Sequence, residues 1–322
     1  MAEHPSNNLG SKEWQVIEKM IMETHKEQKR ARRWGIFFKV LIFVYIFAVL
    51  ILLRAGGQFN GAMDSQKEHV GLVDIKGVIA SDSDANANAI VTGLRKAFEA
   101  KNSKAVILAI NSPGGSPVQS GYVNDEIYRL KEKYPDKKVY AVISDLGASG
   151  AYYIAAAADE IYADKASLVG SIGVVASGFG FVDLLDKLGV ERRQYTSGDH
   201  KAFLDPFSPQ NPDEVDFWEG VLTDTHEQFI DVVKKGRQDR LDIENPDLFT
   251  GLIWNGEQAL ELGLVDGLGS AGKVARDVIG IEEIVDYGVR PDPFTQIIEQ
   301  FGVSVGKGIS TMLTSEADLS LR

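Results

Sequence analysis

One stretch of this chain leaves the backbone almost no choice. From Gly35 to Leu53 it reads GIFFKVLIFVYIFAVLILL, apolar throughout except for Lys39. A helix with no polar face does not suit a protein surface, and this one would rise about 28 Å, close to the hydrocarbon thickness of a bilayer. Lys39 lies about one turn from the N-terminal end, where its long stem can carry the amine to the headgroups, and Trp34 stands at the level of an interfacial aromatic. Residues 26–33, just ahead, hold five basic side chains and one acidic; after the run only Arg54 precedes Gly56-Gly57. That asymmetry predicts a single-pass anchor over 34–54, with residues 1–33 in the cytoplasm and the remainder on the far side of the bilayer. A cleavable signal sequence would have a shorter apolar core and a shorter leader. Residues 11–30 mix Trp14, Val16, Ile17, Met20, Ile21 and Met22 with charges. They read equally as an amphipathic helix on the membrane surface or as a solvated tail.

Beyond the anchor, a polar linker (55–68) leads to strands alternating with helices. The stretch 69–80 reads as a strand, 86–100 as a helix, and Ala105–Ile110 as a short apolar run of the kind buried on both faces of a sheet. A helix over 118–133, a buried strand over 138–143 and a helix from Ser149 to about 158 follow. Short strands are expected at 160–163, 167–175 and 191–196, and helices at 181–188, 213–241, 256–263 and 270–279. Such alternation gives an α/β architecture with mostly parallel strands over 69–285. The C-terminal extension, 286–322, holds one helical candidate at Pro293–Phe301. The 322 residues carry a formal charge of −12, which gives no basic surface for nucleic acid. With no cysteine there is no thiolate catalysis or disulfide, and five scattered histidines offer no metal spacing, so neither metal nor cofactor is expected.

Sites in parallel sheets form at the carboxyl ends of strands, here after Ile110 and Ile143. After Ile110 comes Asn111-Ser112-Pro113-Gly114-Gly115, whose glycines let backbone N–H groups approach a substrate carbonyl as an oxyanion hole requires. After Ile143 comes Gly147-Ala148-Ser149-Gly150-Ala151, a serine at a strand-to-helix junction. The string departs from the G-x-S-x-G elbow of α/β-hydrolases, and taken alone Ser149 reads more simply as a helix N-cap. Lys201, in Ser197-Gly198-Asp199-His200-Lys201, is a candidate general base. A lysine serves as a base only when neutral, and its ordinary value of about 10.4 makes burial a requirement. A histidine triad would recruit His200 or His226, although His226 falls in a long charged helix and reads as solvent-facing.

The ordered set NSPGG, GASGAYYIAAAAD, GSIGVV, SGDHK and a later GLVD resembles the SppA-type signal peptide peptidases in their short form, over roughly residues 70–270. The resemblance implies the Clp protease/crotonase-like fold, with stacked, mostly parallel sheets and flanking helices. It implies a serine–lysine dyad with Ser149 as nucleophile, Lys201 as general base, Ser171 orienting the lysine, and the backbone N–H groups of Gly114 and Gly150 as oxyanion donors. One departure is Ala151, where a second glycine often follows the serine. The implied substrates are remnant signal peptides at the bacterial inner membrane, cut on its extracytoplasmic side by a homo-oligomer. A SohB-like peptidase acting on other membrane or misfolded proteins shares these motifs. A crotonase-like acyl-CoA enzyme, or a non-catalytic scaffold, fits the anchor and the serine–lysine pair less well.

Overall fold

The computed structural model describes the backbone of residues 9–59 and 67–289. The chain divides into two compact units, one containing Met1–Gly61 and the other spanning Ala62–Arg290. In the first, α1 (Leu9–Phe59) is one uninterrupted helix of 51 residues. Among the described residues no helix is long and apolar enough to cross a membrane. Side chains of the apolar run are described only to Val49 and at Ile51, and the helix just before it carries Arg32 and Arg33. The 11–30 stretch is helical, and each of its described side chains is exposed.

The second unit is built on a mostly parallel sheet. Its strands are β1 (His69–Lys76), β2 (Ser103–Ser112), β3 (Val139–Ala148), β4 (Glu160–Ala163), β5 (Leu168–Gly170), β6 (Ile253–Asn255), β7 (Gly267–Leu268) and β8 (Ile284–Asp286). Its helices are α2 (Ala87–Glu99), α3 (Pro117–Lys133), α4 (Gly150–Ala155), α5 (Val182–Leu188), α6 (Pro212–Arg237), α7 (Gly256–Glu261) and α8 (Ala271–Lys273), which continues as a π-helical turn over Val274–Ile279. Strand order is β6-β5-β3-β2-β1-β8, and only the β5–β6 pairing is antiparallel.

The sheet forks at β3. Its first half, Tyr140–Ile143, pairs with β4, while Leu146–Ala148 pairs with β5. The expected stacked sheets are thus one hydrogen-bonded network whose two branches separate midway along β3, between Ile143 and Leu146. Ser149 follows the end of β3 directly, so the branching delivers it to the opening between β2 and β5.

Local sequence explains the frame that holds this opening. The Asn86 side chain accepts from Ala89 N–H and caps α2, and Ser116 with Pro117 starts α3 in the same way. At the other end of α2, beyond the Ala100 C-cap, Lys137 Nζ donates to the carbonyls of Phe98 (2.7 Å) and Ala100 (3.0 Å). Leu94, Phe98, Ile127, Leu130, Leu108 and Ile110 pack between these helices and one sheet face, each fully buried. Such side chains contribute about 1.5–3 kcal/mol apiece. The opposite face packs Val70, Ile107 and Val142 against Val274 and Ala275.

Several sequence expectations change. The strand expected at 167–175 pairs only over Leu168–Gly170, because Ser171 turns the chain at φ +51°. Residues 191–196 form no strand; they are exposed coil, with Tyr195 at 90% exposure, since no neighbour offers an edge. Pro293–Phe301 lies outside the described residues.

Candidate active site

Ser149 sits at φ +54°, ψ −126°, a conformation rarely adopted by residues with a side chain. It is held there from both sides. Its N–H donates to Gly170 O (2.8 Å), which ties it to β5, and its carbonyl accepts from Tyr153 N–H (3.0 Å) inside α4. The side chain makes no capping hydrogen bond, so the plain N-cap role does not apply. A strained, doubly anchored serine with an unengaged hydroxyl at a strand-to-helix junction has the geometry of a nucleophile elbow, reached through another sequence. With six residues, α4 contributes through its first N–H, at Gly150, more than through any macrodipole.

The two glycines of the Pro-Gly-Gly loop divide the work. Gly114 (φ +91°) lies beneath the elbow, where an added Cβ would come 2.6 Å from Ala148 O and from Gly150 N. Its N–H donates to Ser112 Oγ (3.1 Å). Gly115 is pinned by a parallel bridge to Ile79, in which Ile79 N–H donates to Gly114 O and Ser116 N–H to Ile79 O. No hydrogen bond among the described residues uses the Gly115 N–H or the Gly150 N–H, and both glycines line the same cavity as Ser149. The resemblance names Gly114 as the loop's donor; here its N–H is engaged by Ser112 Oγ, and that of the next residue is not.

That cavity encloses about 850 Å³. Its base is Ser149, Gly150 and Tyr153; α3 forms one wall, the irregular chain at Gly173, Val174 and Val175 a second, and Thr225, Gln228 and Phe229 of α6 a third. Ser171 lines it too, held at φ +51° by its N–H to Leu252 O (2.7 Å). The next carbonyl, Ile172 O, is engaged by His226 Nε2 at 3.0 Å. His226 is therefore half-buried and fixes the cavity wall; it does not face solvent as its charged helix implied. His200 is exposed, 3.6 Å from Glu214 Oε1, and lines no part of the cavity.

Ser149, Ser171 and Gly150 thus come together and Lys201 does not. Lys201 is exposed, in a turn within the long irregular stretch 189–211, and is absent from the cavity wall. Among the described residues no histidine or lysine lines the cavity; the titratable groups there are Asp125, Tyr122 and Tyr153. Burial, and second the nearby Asp125 charge, push the Tyr153 phenol above its ordinary value, so it serves no base at neutral pH. Sequence reading missed these three residues. The signal for two was available, since positions 118, 121, 122 and 125 repeat at the spacing of one helix face.

A strained serine with an unengaged hydroxyl beside two unengaged amides is the kind of arrangement that acyl transfer uses. Residues 131–279 match the model of peptidase family S49, and the chain belongs to that family. It is 48% identical over 187 residues to a sodium/proton antiporter NhaA of Brucella abortus, a match covering 58% of this chain and 25% of that protein. It is 35% identical to a provisionally named signal peptide peptidase SppA of Enterococcus faecium, covering 61% of this chain and 59% of the relative. A provisionally named protease of Synechocystis is also 35% identical, with 64% of this chain and 72% of that protein covered. The chain therefore spans a quarter of the antiporter's length and just over half of the Enterococcus protein's. Ser149, Ser171 and Lys201 fall inside the family match; the Gly115 loop precedes it.

Proposed function

We propose that this chain is a membrane-anchored serine endopeptidase that cuts remnant signal peptides through a Ser149–Lys201 dyad. The observation that carries the reading is the strained Ser149, opening beside the free N–H groups of Gly115 and Gly150 onto one cavity. On this reading neutral Lys201 takes the Ser149 proton while Oγ attacks a peptide carbonyl, and the two amides hold the oxyanion. The C–N bond breaks as the lysine ammonium protonates the leaving amine. Water, deprotonated by the same lysine, then releases the acid and restores the serine. Ser171, which lines the same cavity, orients the lysine amine.

Within one chain Lys201 does not reach the cavity. Catalysis therefore needs the 189–211 stretch to close over it, or the same stretch of a second copy to arrive from outside. The apolar run Gly35–Leu53, with its basic leader, supports a single-pass anchor and a cytoplasmic N-terminus, and so a peptidase unit on the extracytoplasmic side of a bacterial inner membrane. Shared motifs keep a SohB-like role, on membrane or misfolded proteins, as the second reading.

The test is hydrolysis of synthetic signal peptides and of a folded protein by the full chain in detergent. Hydrolysis of the signal peptides, lost in both Ser149→Ala and Lys201→Ala, is expected. Mixing the two inactive variants separates the geometries, since activity returns only if serine and lysine come from different copies. Preference for the folded protein would favour the second reading, and activity in Ser149→Ala would end both.

A further inference from the structure

The cavity wall contributed by α3 is chemically uneven. Val118, Gly121, Tyr122 and Asp125 face the cavity along one side of the helix, and of all the lining residues Asp125 alone is charged. Its sequence neighbour Glu126 is held by Arg95 (2.7 Å) and Arg129 (2.6 Å) on another side of the helix. No ion pair or hydrogen bond among the described residues uses the Asp125 side chain. A carboxylate left unpaired in a groove, with the exposed Tyr122 ring one turn away and Tyr153 close by, is suited to a cation. The surrounding chain, at a formal charge of −12, adds an attractive field.

Helix geometry sets the distance. α3 starts two residues after the Gly115 amide, and Asp125 follows its first residue, Pro117, by eight positions, about 12 Å along the axis. An extended peptide advances about 3.3 Å per residue, so for a peptide lying along α3 this carboxylate is about four residues from a carbonyl held at Gly115 and Gly150. Between the two positions the wall is apolar or aromatic: Pro117, Val118 and Tyr122 on α3, with Phe229 opposite.

We infer that Asp125 forms a subsite for a lysine or arginine side chain about four residues from the bond that is cut. The substrate is then a peptide in which a basic residue adjoins an apolar run. The inference rests on the peptidase reading above and adds to it a charge preference. It matches the chemistry of a secretory leader, whose basic end precedes its apolar core.

The experiment uses fluorescent ten-residue apolar peptides in which one lysine, glutamate or norleucine is walked along the chain. Binding to full-length Ser149→Ala in detergent is followed by anisotropy, and cleavage by the unmodified chain is mapped by mass spectrometry. At one position lysine should bind about two- to fivefold tighter than norleucine at low salt, the scale of a partly exposed ion pair. Adding Asp125→Asn, or raising the salt to about 0.5 M, should bring that ratio near one, and Asp125→Lys should turn it to favour glutamate. An unchanged ratio in Asp125→Asn overturns the subsite, as does failure of every peptide to bind. Peptides that bind with the expected ratio but are never cut would sink the peptidase reading and leave the subsite standing. Cleavage without any Asp125-dependent charge preference would do the reverse.

Discussion

The region around Ser149 and the region around Lys201 belong to one compact unit and follow opposite rules. Around Ser149 nearly every position is over-determined: two hydrogen bonds fix the strained residue, Gly114 leaves no room beneath it, and Ala151, Tyr152 and Ile154 are fully buried behind it. Tyr152 is anchored in turn through its hydroxyl to Leu264 O (2.6 Å), and Arg237, 1% exposed, clamps Asp266 close by. Around Lys201 the chain runs from 189 to 211 without a strand or helix, and large apolar side chains stand in solvent, Val175 at 87% and Phe179 at 80% exposure in the preceding segment. The lesson is a division of labour. On the proposed reading, the nucleophile and its amides are preorganised, whereas the base sits exposed on an irregular segment that does not line the cavity.

The sharpest test of that comparison sets activity against stability. Ser149→Ala and Lys201→Ala should each lower kcat/KM on a signal peptide by about 10⁴ or more, as for other members of a catalytic unit. Lys201→Ala should meanwhile leave the unfolding midpoint unmoved, because the side chain is exposed and makes no ion pair. Most of the activity surviving in Lys201→Ala would break the comparison at its weaker end.

Next in size are paired glycine substitutions read by denaturant unfolding. At Gly115 an added Cβ would collide with Ile79 O, and at Gly114 with Ala148 O, both at positive φ, so Gly→Ala at either should cost about 2–4 kcal/mol. At Gly178 and Gly180, ahead of the lysine segment, nothing lies within 4 Å of an added Cβ, and the same change should stay within about 0.5 kcal/mol. Equal costs at all four positions would erase the contrast.

A third test uses acid. The hydrogen bond from Arg129, joined by Arg95, outweighs burial and lowers Glu126 from 4.5 to about 2. A depressed carboxylate contributes stability that is complete above its unfolded value and fades as pH falls through the folded one. Unfolding free energy should therefore decline between about pH 5 and pH 2 by on the order of 2–3 kcal/mol from this group. Glu126→Gln should be less stable at pH 7 and flatter across that window; an unchanged pH slope would count against the assignment. The smallest effect expected is at the nucleophile itself. Ser149→Gly, relieved of positive-φ strain, should gain about 1 kcal/mol over Ser149→Ala.

Much of the frame was legible because its signals are local. Apolar runs marked β1 to β4, helical stretches over 86–100 and 118–133 marked α2 and α3, and a strand end marked the serine. What stayed hidden depended on contacts distant in sequence. The fork of β3, the engagement of the Gly114 amide and the turn of His226 toward Ile172 O are set by which chains lie alongside, and periodicity carries no record of that. The 191–196 stretch failed for the converse reason: its residues favour extension, yet no edge receives them.

The positive φ of Ser149 has an evolutionary consequence. A fold that holds a side-chain-bearing residue in that conformation is under a standing disadvantage, offset only while the hydroxyl is used. In any lineage released from hydrolysis, drift should carry this position toward glycine sooner than toward alanine. Family members that read Gly-Ala-Gly-Gly at this junction would then be recognisable as former enzymes, kept for whatever else their groove can hold.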